Sequence, residues 1–341
     1  MCWKAAMAKV KILAVIPNQT DATSFYRSGG PLLALKKSWE ELDTFSVDRH
    51  NWFVHQMCDI VFLQRPYKKD HLDIVEMAKL NGKKVWVDFD DDLFNVPFSN
   101  PAYRIYGNDQ SKFNIAKIIN LADHVTVSTE PLKKLLQEPK AVLNKNVTVV
   151  PNAFDDNMLK RPEKVSRKKV VFWRGSQTHH QDLMCFQDEI LDKRINGPKG
   201  WTWFFQGDKP WFLYEKLKES ALFGDPIDII EYFKILLPRV NPLVTIVPLY
   251  DTVFNRSKSN IAWIEGCYAG ATCLVPRWQG WENPGAVTYG DVTDFGIKLK
   301  DMLAGHYDLE KMSEEGWQYI QDNLLLSKVN QLRKDVILSL L

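Results

Sequence analysis

Residues Asn255–Pro276 read NRSKSNIAWIEGCYAGATCLVP. An apolar strand pattern, LVTIVPL (Leu243–Leu249), precedes them, and a helix pattern runs to Ala269-Gly270 before a second strand, ATCLVP. Strand, helix and strand in succession make one unit of a parallel α/β sheet. At 3.6 residues per turn, Lys258, Ile261, Glu265 and Tyr268 share one face of the helix, together with Ile264. The apolar members turn that face inward. An inward lysine and glutamate need partners, because an unpaired buried charge is costly. One partner set satisfies both. A phosphate sits near Lys258, where helix N–H groups also favour anions, and Glu265 accepts ribose hydroxyls one to two turns later. A plain Lys–Glu pair on a half-exposed helix satisfies them as well.

The same alternation extends outward. Strand patterns occur at Lys9–Pro17, Asp59–Gln64, Lys83–Asp90, His124–Thr129 and Asn146–Phe154, with helix patterns after Gly29-Gly30-Pro31 and over His71–Leu80, Asp109–Leu121 and PLKKLLQ. A charged stretch, Asp155–Lys169, reads as a linker. Beyond it come a strand at Lys169–Ser176, a helix from about Asp182, a strand at Gly200–Gly207 and the apolar helix IDIIEYFKILLP. The tail is helical by pattern over Met312–Asn323 and Leu325–Leu340.

A chain of 341 residues suits two domains, each large enough to bury a core. A formal net charge of +2 gives no global basic field for nucleic acid, though a local groove stays open. The five cysteines (Cys2, Cys58, Cys185, Cys267, Cys273) lack metal-ligand spacing and read as reduced thiols. No run reaches the length of a membrane span, and MCWKAAMAK is too short for a signal peptide, so a cytoplasmic protein is expected. Trp201, Trp203, Trp211, Trp278 and Trp281 line either a carbohydrate or base-stacking surface or a core, core being the plainer reading.

The Asn255–Pro276 block resembles the nucleotide-sugar site of GT-B glycosyltransferases. In that superfamily a glutamate on the helix before an A-x-G-x-P/T-V strand holds the donor ribose. Glu265, followed by Ala269-Gly270-Ala271-Thr272 and Leu274-Val275, matches it. Many retaining members carry another glutamate eight positions earlier, where this chain has Ser257 with Lys258 beside it. The resemblance implies an α/β fold of two tandem Rossmann-like domains facing across a cleft. Their bounds are 1–158 and 159–321, and a C-terminal helix over 322–341 returns to the first domain.

Four loops at strand ends carry chemistry. In Trp173-Arg174-Gly175-Ser176, an arginine after a strand with glycine next suits a diphosphate, through forked donors and turn N–H groups. It also suits a surface turn. In Tyr26-Arg27-Ser28-Gly29-Gly30-Pro31, the glycine pair lets backbone approach a ligand or simply makes a turn. By resemblance it contacts the donor, and Arg27 adds charge for the leaving diphosphate. Asp88-Phe89-Asp90-Asp91-Asp92 looks like the metal motif of the GT-A fold. The longer block VDFDDDLFNVPFSNP more closely resembles phage and bacterial GT-B enzymes. Four close carboxylates cannot all be desolvated cheaply. Asp90 or Asp91 orients an acceptor hydroxyl or acts as base, or the run is solvated, or it holds a structural metal. His179-His180 lack a third zinc ligand. Thr178 or Asp182 reads as a helix cap, and by resemblance both histidines shape a pocket.

Taken with the resemblance, these features imply transfer of a sugar from a nucleoside diphosphate sugar, UDP-sugar favoured, to a hydroxyl acceptor. The acceptor is a saccharide or a hydroxymethylated base in phage DNA, the location being the host cytoplasm in the phage case. Arg174 and Lys258 take the diphosphate charge, so no metal and no further cofactor is required, and Glu265 fixes the ribose. Gly175, Ser176, Asn255, Arg256, Ser257 and Asn260 complete the donor contacts, and retention of configuration is favoured. Lys68-Lys69, Lys83-Lys84 and Arg167-Lys168-Lys169 are basic candidates for a DNA acceptor. The alternatives are a nucleotide-sugar epimerase and a non-catalytic binder of the same fold.

Overall fold

Ile12 and Ala14 pack on one face of the first strand and Leu13 and Val15 on the other, as the two-residue period of a strand requires. Both faces are apolar, so this strand needs cover on both sides, and parallel sheets flanked by helices supply it. The computed structural model describes residues 9–16, 18, 21–47, 56–162, 167–196 and 200–341. Cys2, Pro17 and 163–166 of the expected linker lie outside them. Two units form, Met1–Phe94 with Ile105–Asn157 and Leu326–Leu341, and Asn95–Arg104 with Met158–Leu325.

The first unit holds strands β1 (Val10–Val15), β2 (Leu42–Val47), β3 (Ile60–Gln64), β4 (Lys84–Phe89), β5 (His124–Val127) and β6 (Val147–Val149). Their order is β2-β1-β3-β4-β5-β6, and every pairing is parallel. Order reverses between β1 and β3, which is where ligands of open α/β sheets bind, beyond the carboxyl ends of the strands. Helices α1 (Ala22–Arg27) and α2 (Gly29–Ser38) follow β1, and α3 (Lys69–Leu80), α4 (Asp109–Leu121) and α5 (Glu130–Gln137) follow β3, β4 and β5.

The second unit holds β7 (Lys168–Gly175), β8 (Thr202–Gly207), β9 (Ala221–Gly224), β10 (Pro242–Ile246), β11 (Thr272–Pro276) and β12 (Val287–Tyr289). Their order, β12-β11-β10-β7-β8-β9, is the Rossmann arrangement, with its switch point between β7 and β10. Helices α6 (His180–Cys185), α7 (Val253–Arg256), α8 (Ile261–Ala269), α9 (Val292–Ala304) and α10 (Leu309–Asn323) belong to this unit.

The last helix, α11 (Leu326–Leu340), belongs to the first unit. Its Val336, Ile337 and Leu340 share a core with Ile12, Phe62 and Trp86. Asn330 Nδ2 donates to Pro31 O (3.0 Å) and Arg333 Nη2 to Tyr26 O (3.4 Å).

Several elements depart from the sequence expectation. The helix after Gly29-Gly30-Pro31 stops at Ser38, and the chain then forms edge strand β2. The segment between β1 and Gly29 contains α1, capped by Asp21 Oδ1 on Ser24 N (2.6 Å). Strands β9 and β12 and helix α9 also form where no element was assigned.

Candidate functional site

Strand β7 buries Val170–Trp173 and brings Arg174 out at its carboxyl end, next to the switch point. Arg174 Nη1 donates to both oxygens of Glu265, at 2.8 Å to Oε1 and 3.1 Å to Oε2. Its guanidinium lies over the Tyr232 ring at 4.6 Å, and Tyr232 Oη donates to Glu265 Oε2 at 3.0 Å. The Glu265 side chain is 4% exposed and that of Arg174 is 30% exposed, so the carboxylate is the inner partner. A carboxylate this deep is costly to bury without close donors, and Arg174 and Tyr232 are close donors to it. Burial first, and then the neighbouring Glu265 charge, push the Tyr232 hydroxyl well above its ordinary range. It therefore stays protonated at neutral pH and acts as a donor.

The loop after β7 is bonded to the loop after β8. Gly175 O accepts from Asp208 N (3.1 Å), Gln177 N donates to Asp208 Oδ2 (2.9 Å), and a His180 ring nitrogen meets Asp208 O (2.8 Å). A side chain at Gly175 would run into the Trp173 ring. Ser176 Oγ lies 2.7 Å from Thr178 Oγ1.

The block that follows β10 is two helices rather than one. Thr252 caps α7, whose last turn is closed by Ser257 Oγ donating to Phe254 O (2.7 Å), and α8 starts only at Ile261. Lys258 therefore lies in the intervening turn, not on the helix face with Glu265, and its ammonium sits 4.6 Å over the Phe254 ring. Serine favours this break, because its hydroxyl competes for the backbone acceptor. The other expected donor contacts in the block have different work. Asn255 is buried and gives its amide to Asp182 Oδ1 (2.6 Å) and Tyr250 O (2.9 Å). Arg256 is exposed and paired with Asp251 (2.6 Å), and Ser257 is fully buried. Asn260 Nδ2 donates to Asn283 Oδ1 (3.2 Å). Asp182, expected as a cap, is instead the acceptor that holds Asn255. Gly270 ends α8 at φ +79°, a conformation glycine adopts without strain, and lets β11 begin two residues on.

In the first unit, Arg27 is corrected from donor contact to internal strut. Its side chain is completely buried. Nε and Nη2 donate to Asp88 (3.0 and 2.7 Å), and Nη1 donates to Val150 O (2.6 Å) and Asn152 Oδ1 (3.1 Å). Thr126 Oγ1 donates to Asp88 as well (2.6 Å) and accepts from Trp86 Nε1 (2.9 Å). Gly29 and Gly30 start α2 directly against α1, and a Cβ on Gly30 would lie 2.3 Å from Phe25 O. That close approach explains the Gly30 side of the pair without a ligand.

The acidic run divides its labour. Asp88 serves Arg27, and Asp92, fully buried, accepts from Phe94 N (3.1 Å). Asp90 and Asp91 share Arg65: Nε and Nη2 reach Asp90 Oδ1 (2.9 and 2.5 Å), and Nη2 reaches Asp91 Oδ2 (3.0 Å). Arg65, which no sequence motif marks, follows β3 at the switch point with φ +48°, an uncommon conformation for a non-glycine residue. Burial raises the Asp90 carboxyl above the usual range, with Arg65 pulling the other way and Asp91 adding to the rise. Among the described residues no group of three or more His, Cys, Asp or Glu is placed to hold a metal. Nor is any helix among them long and apolar enough to cross a membrane.

The other aromatic and basic candidates differ in exposure, and Lys68, Lys69, Lys84, Lys168 and Lys169 are exposed. Trp203 and Trp281 are buried, while Trp211 is exposed. Arg167 bonds Gly270 O (3.1 Å) and Asn241 Oδ1 (3.2 Å), Lys168 bonds Arg239 O (2.7 Å), and Lys69 pairs with Asp73. Cys58, Cys185, Cys267 and Cys273 are reduced thiols.

No protein-family model and no curated protein sequence matches the chain. Solved structures do match along nearly its whole length. HepE of Anabaena, in complex with UDP and glucose, superposes with a TM-score of 0.66 at 12% identity, covering 97% of this chain and 100% of HepE. An alpha-glucosyltransferase in complex with UDP and a 13-mer DNA containing an HMU base gives 0.65 at 11% identity, covering 97% and 99%. A putative UDP-N-acetylglucosamine 2-epimerase from Listeria monocytogenes gives 0.57 at 14% identity, covering 90% and 91%. At such identities the likeness is one of fold, and the fold is GT-B.

Proposed function

We propose that this chain, a GT-B protein by fold, is a glycosyltransferase that moves a sugar from a nucleoside diphosphate sugar to a hydroxyl acceptor. The observation that carries the reading is the Arg174–Glu265–Tyr232 constellation at the carboxyl end of β7, beside the switch point of the second sheet. A buried carboxylate is an acceptor suited to a vicinal diol, and a half-exposed guanidinium is a forked donor suited to phosphate oxygens. Glu265 then holds the donor ribose, while Arg174, Lys258 and the Gly175–Ser176 backbone face the diphosphate. Stabilising negative charge on that leaving group is the main catalytic demand, and fixed cationic donors meet it without a metal. Asp90 and Asp91 are the acceptor-side carboxylates. A carboxyl whose proton affinity is raised by burial, as Asp90's is, takes a hydroxyl proton more readily than an ordinary one.

UDP is the favoured handle, since HepE and the DNA-bound alpha-glucosyltransferase are both described with it. Retention is favoured by the resemblance of the Asn255–Pro276 block to GT-B glycosyltransferases. The acceptor is a saccharide or a hydroxymethylated base in DNA. The test is a panel of UDP-, GDP- and ADP-sugars, each with no acceptor, with oligosaccharides and with DNA carrying hydroxymethylated pyrimidines. Sugar should move from a UDP-sugar to one acceptor class, with UDP released in step. Conversion of a UDP-sugar into another without any acceptor would instead make the chain an epimerase, the reading for which the Listeria neighbour speaks. Failure of every sugar nucleotide to bind would end both.

A further inference from the structure

The helical segment after β9 breaks its winding where it carries the phenol of the site. Ile229–Glu231 is α-helical, Tyr232–Leu236 is a π turn in which Leu237 N donates to Tyr232 O, and Leu237–Val240 resumes the α form. A single π turn inserts one residue, so the helix beyond it is rotated by roughly 100° from a continuous one. Tyr232 opens the turn. Its ring is stacked on Phe172 of β7 (6.4 Å), meets Phe233 edge-on (5.3 Å) and bears the Arg174 guanidinium (4.6 Å). Its position is thus set by β7 and by its own segment, not by α8, which carries Glu265.

Arg174 and Tyr232 bond Glu265 in different ways. Arg174 straddles the carboxylate from a single nitrogen, at 2.8 and 3.1 Å, and separates the two oxygens only weakly. The last torsion of a glutamate is broad, so such a contact by itself does little to fix the carboxylate plane. Tyr232 donates to Oε2, and that bond picks out one oxygen. We infer that Tyr232 is a positioning residue that sets the plane of the Glu265 carboxylate, and thereby the discrimination of ribose hydroxyls at this site. The inference rests on the reading of Glu265 as the ribose acceptor. The raised proton affinity of the phenol agrees with it, since the group remains a donor beside the negative charge.

Tyr232→Phe keeps the ring and its packing and removes only the oxygen. The experiment is calorimetric titration of the full chain with UDP and with 2′,3′-dideoxy-UDP. Wild type should bind UDP more tightly than the dideoxy analogue. The variant should lose about ten- to a hundredfold in UDP affinity, the value of a ribose hydroxyl's hydrogen bond to the charged carboxylate that is no longer aligned, and should bind the dideoxy analogue as wild type does. In a Glu265→Gln background the same change should add less than about twofold, because residues acting through one group are not additive. Equal loss for both nucleotides, no loss for UDP, or a full effect in the Glu265→Gln background would each overturn the inference. If wild type itself binds no UDP, the donor-site reading falls first, and the control shows this before any variant is compared.

Discussion

Glu265 and Arg174 form one ion pair with unequal ends, and the inequality predicts how each responds to mutation. Truncating Arg174 removes the cationic partner of a carboxylate that is 4% exposed and leaves the Tyr232 hydroxyl on it, whereas truncating Glu265 leaves a guanidinium that is 30% exposed and still seated on Tyr232. Arg174→Ala should therefore cost more stability than Glu265→Ala, as read by urea unfolding, while both weaken UDP binding. A second residue-scale prediction concerns Arg65. Its charge opposes the burial that raises Asp90, so Arg65→Met should raise the Asp90 carboxyl further. A base must be deprotonated to act, so the acidic limb of the pH–rate profile should move up by about one pH unit. An unmoved limb would take Asp90 out of that role. Glu265 was legible in the sequence because a lone carboxylate on an apolar helix is anomalous. Tyr232 was not, because an apolar helix pattern gives no sign that one phenol will be turned by a π turn onto a carboxylate 33 residues away. Arg27 showed as charge beside a glycine pair, yet its partner Asp88 is 61 residues on, and no local pattern joins them.

At the scale of elements, α3 depends on an imidazole. His71 Nδ1 accepts from the backbone of Tyr67 (3.0 Å) and Lys68 (3.4 Å), closing the helix start from inside its first turn. Burial, then the Lys68 charge, lower its pKa from 6.5 to about 4. The folded state thus favours the neutral ring. Its contribution is complete above pH 6.5 and is lost as pH falls towards about 4, up to about 3 kcal/mol in all. His71→Gln keeps an acceptor that does not titrate, and its urea midpoint should fall less than that of wild type between pH 7 and pH 4.5. The long strands and helices were readable from their periodicity, and α4 came out at Asp109–Leu121 as read. Edge strands β2 and β9 were not. LDTFSV and ALFG are short and only partly buried, so neither the alternating nor the continuous apolar signal is present, and pairing with a neighbour decides them.

Across the whole molecule, α11 is the last helix in sequence and part of the first unit's core. Val336, Ile337 and Leu340 are each almost completely buried there, and each contributes roughly 1.5–3 kcal/mol. Their sum rivals the total stability of an ordinary domain. Ending the chain at Leu325 should leave the first unit without cooperative unfolding, seen as loss of near-UV circular dichroism from Trp39 and Trp86, which belong to the same core. Cooperative melting that persists would show the helix to be dispensable.

The order of residues by itself determined two parallel α/β layers, because strand and helix periods alternate along the chain and its long strands are apolar on both faces. It also determined that one carboxylate would point inward near the end of the Ala269-Gly270 helix. Which donors meet that carboxylate was decided only when the chain folded. Arg174 lies 91 residues away and Tyr232 33, on two other elements, and ion-pair geometry depends on where strand ends and helix turns are brought in space. For the same reason Lys258, close to Glu265 in the chain, ended up in a turn over a phenylalanine ring instead of on the face they were expected to share.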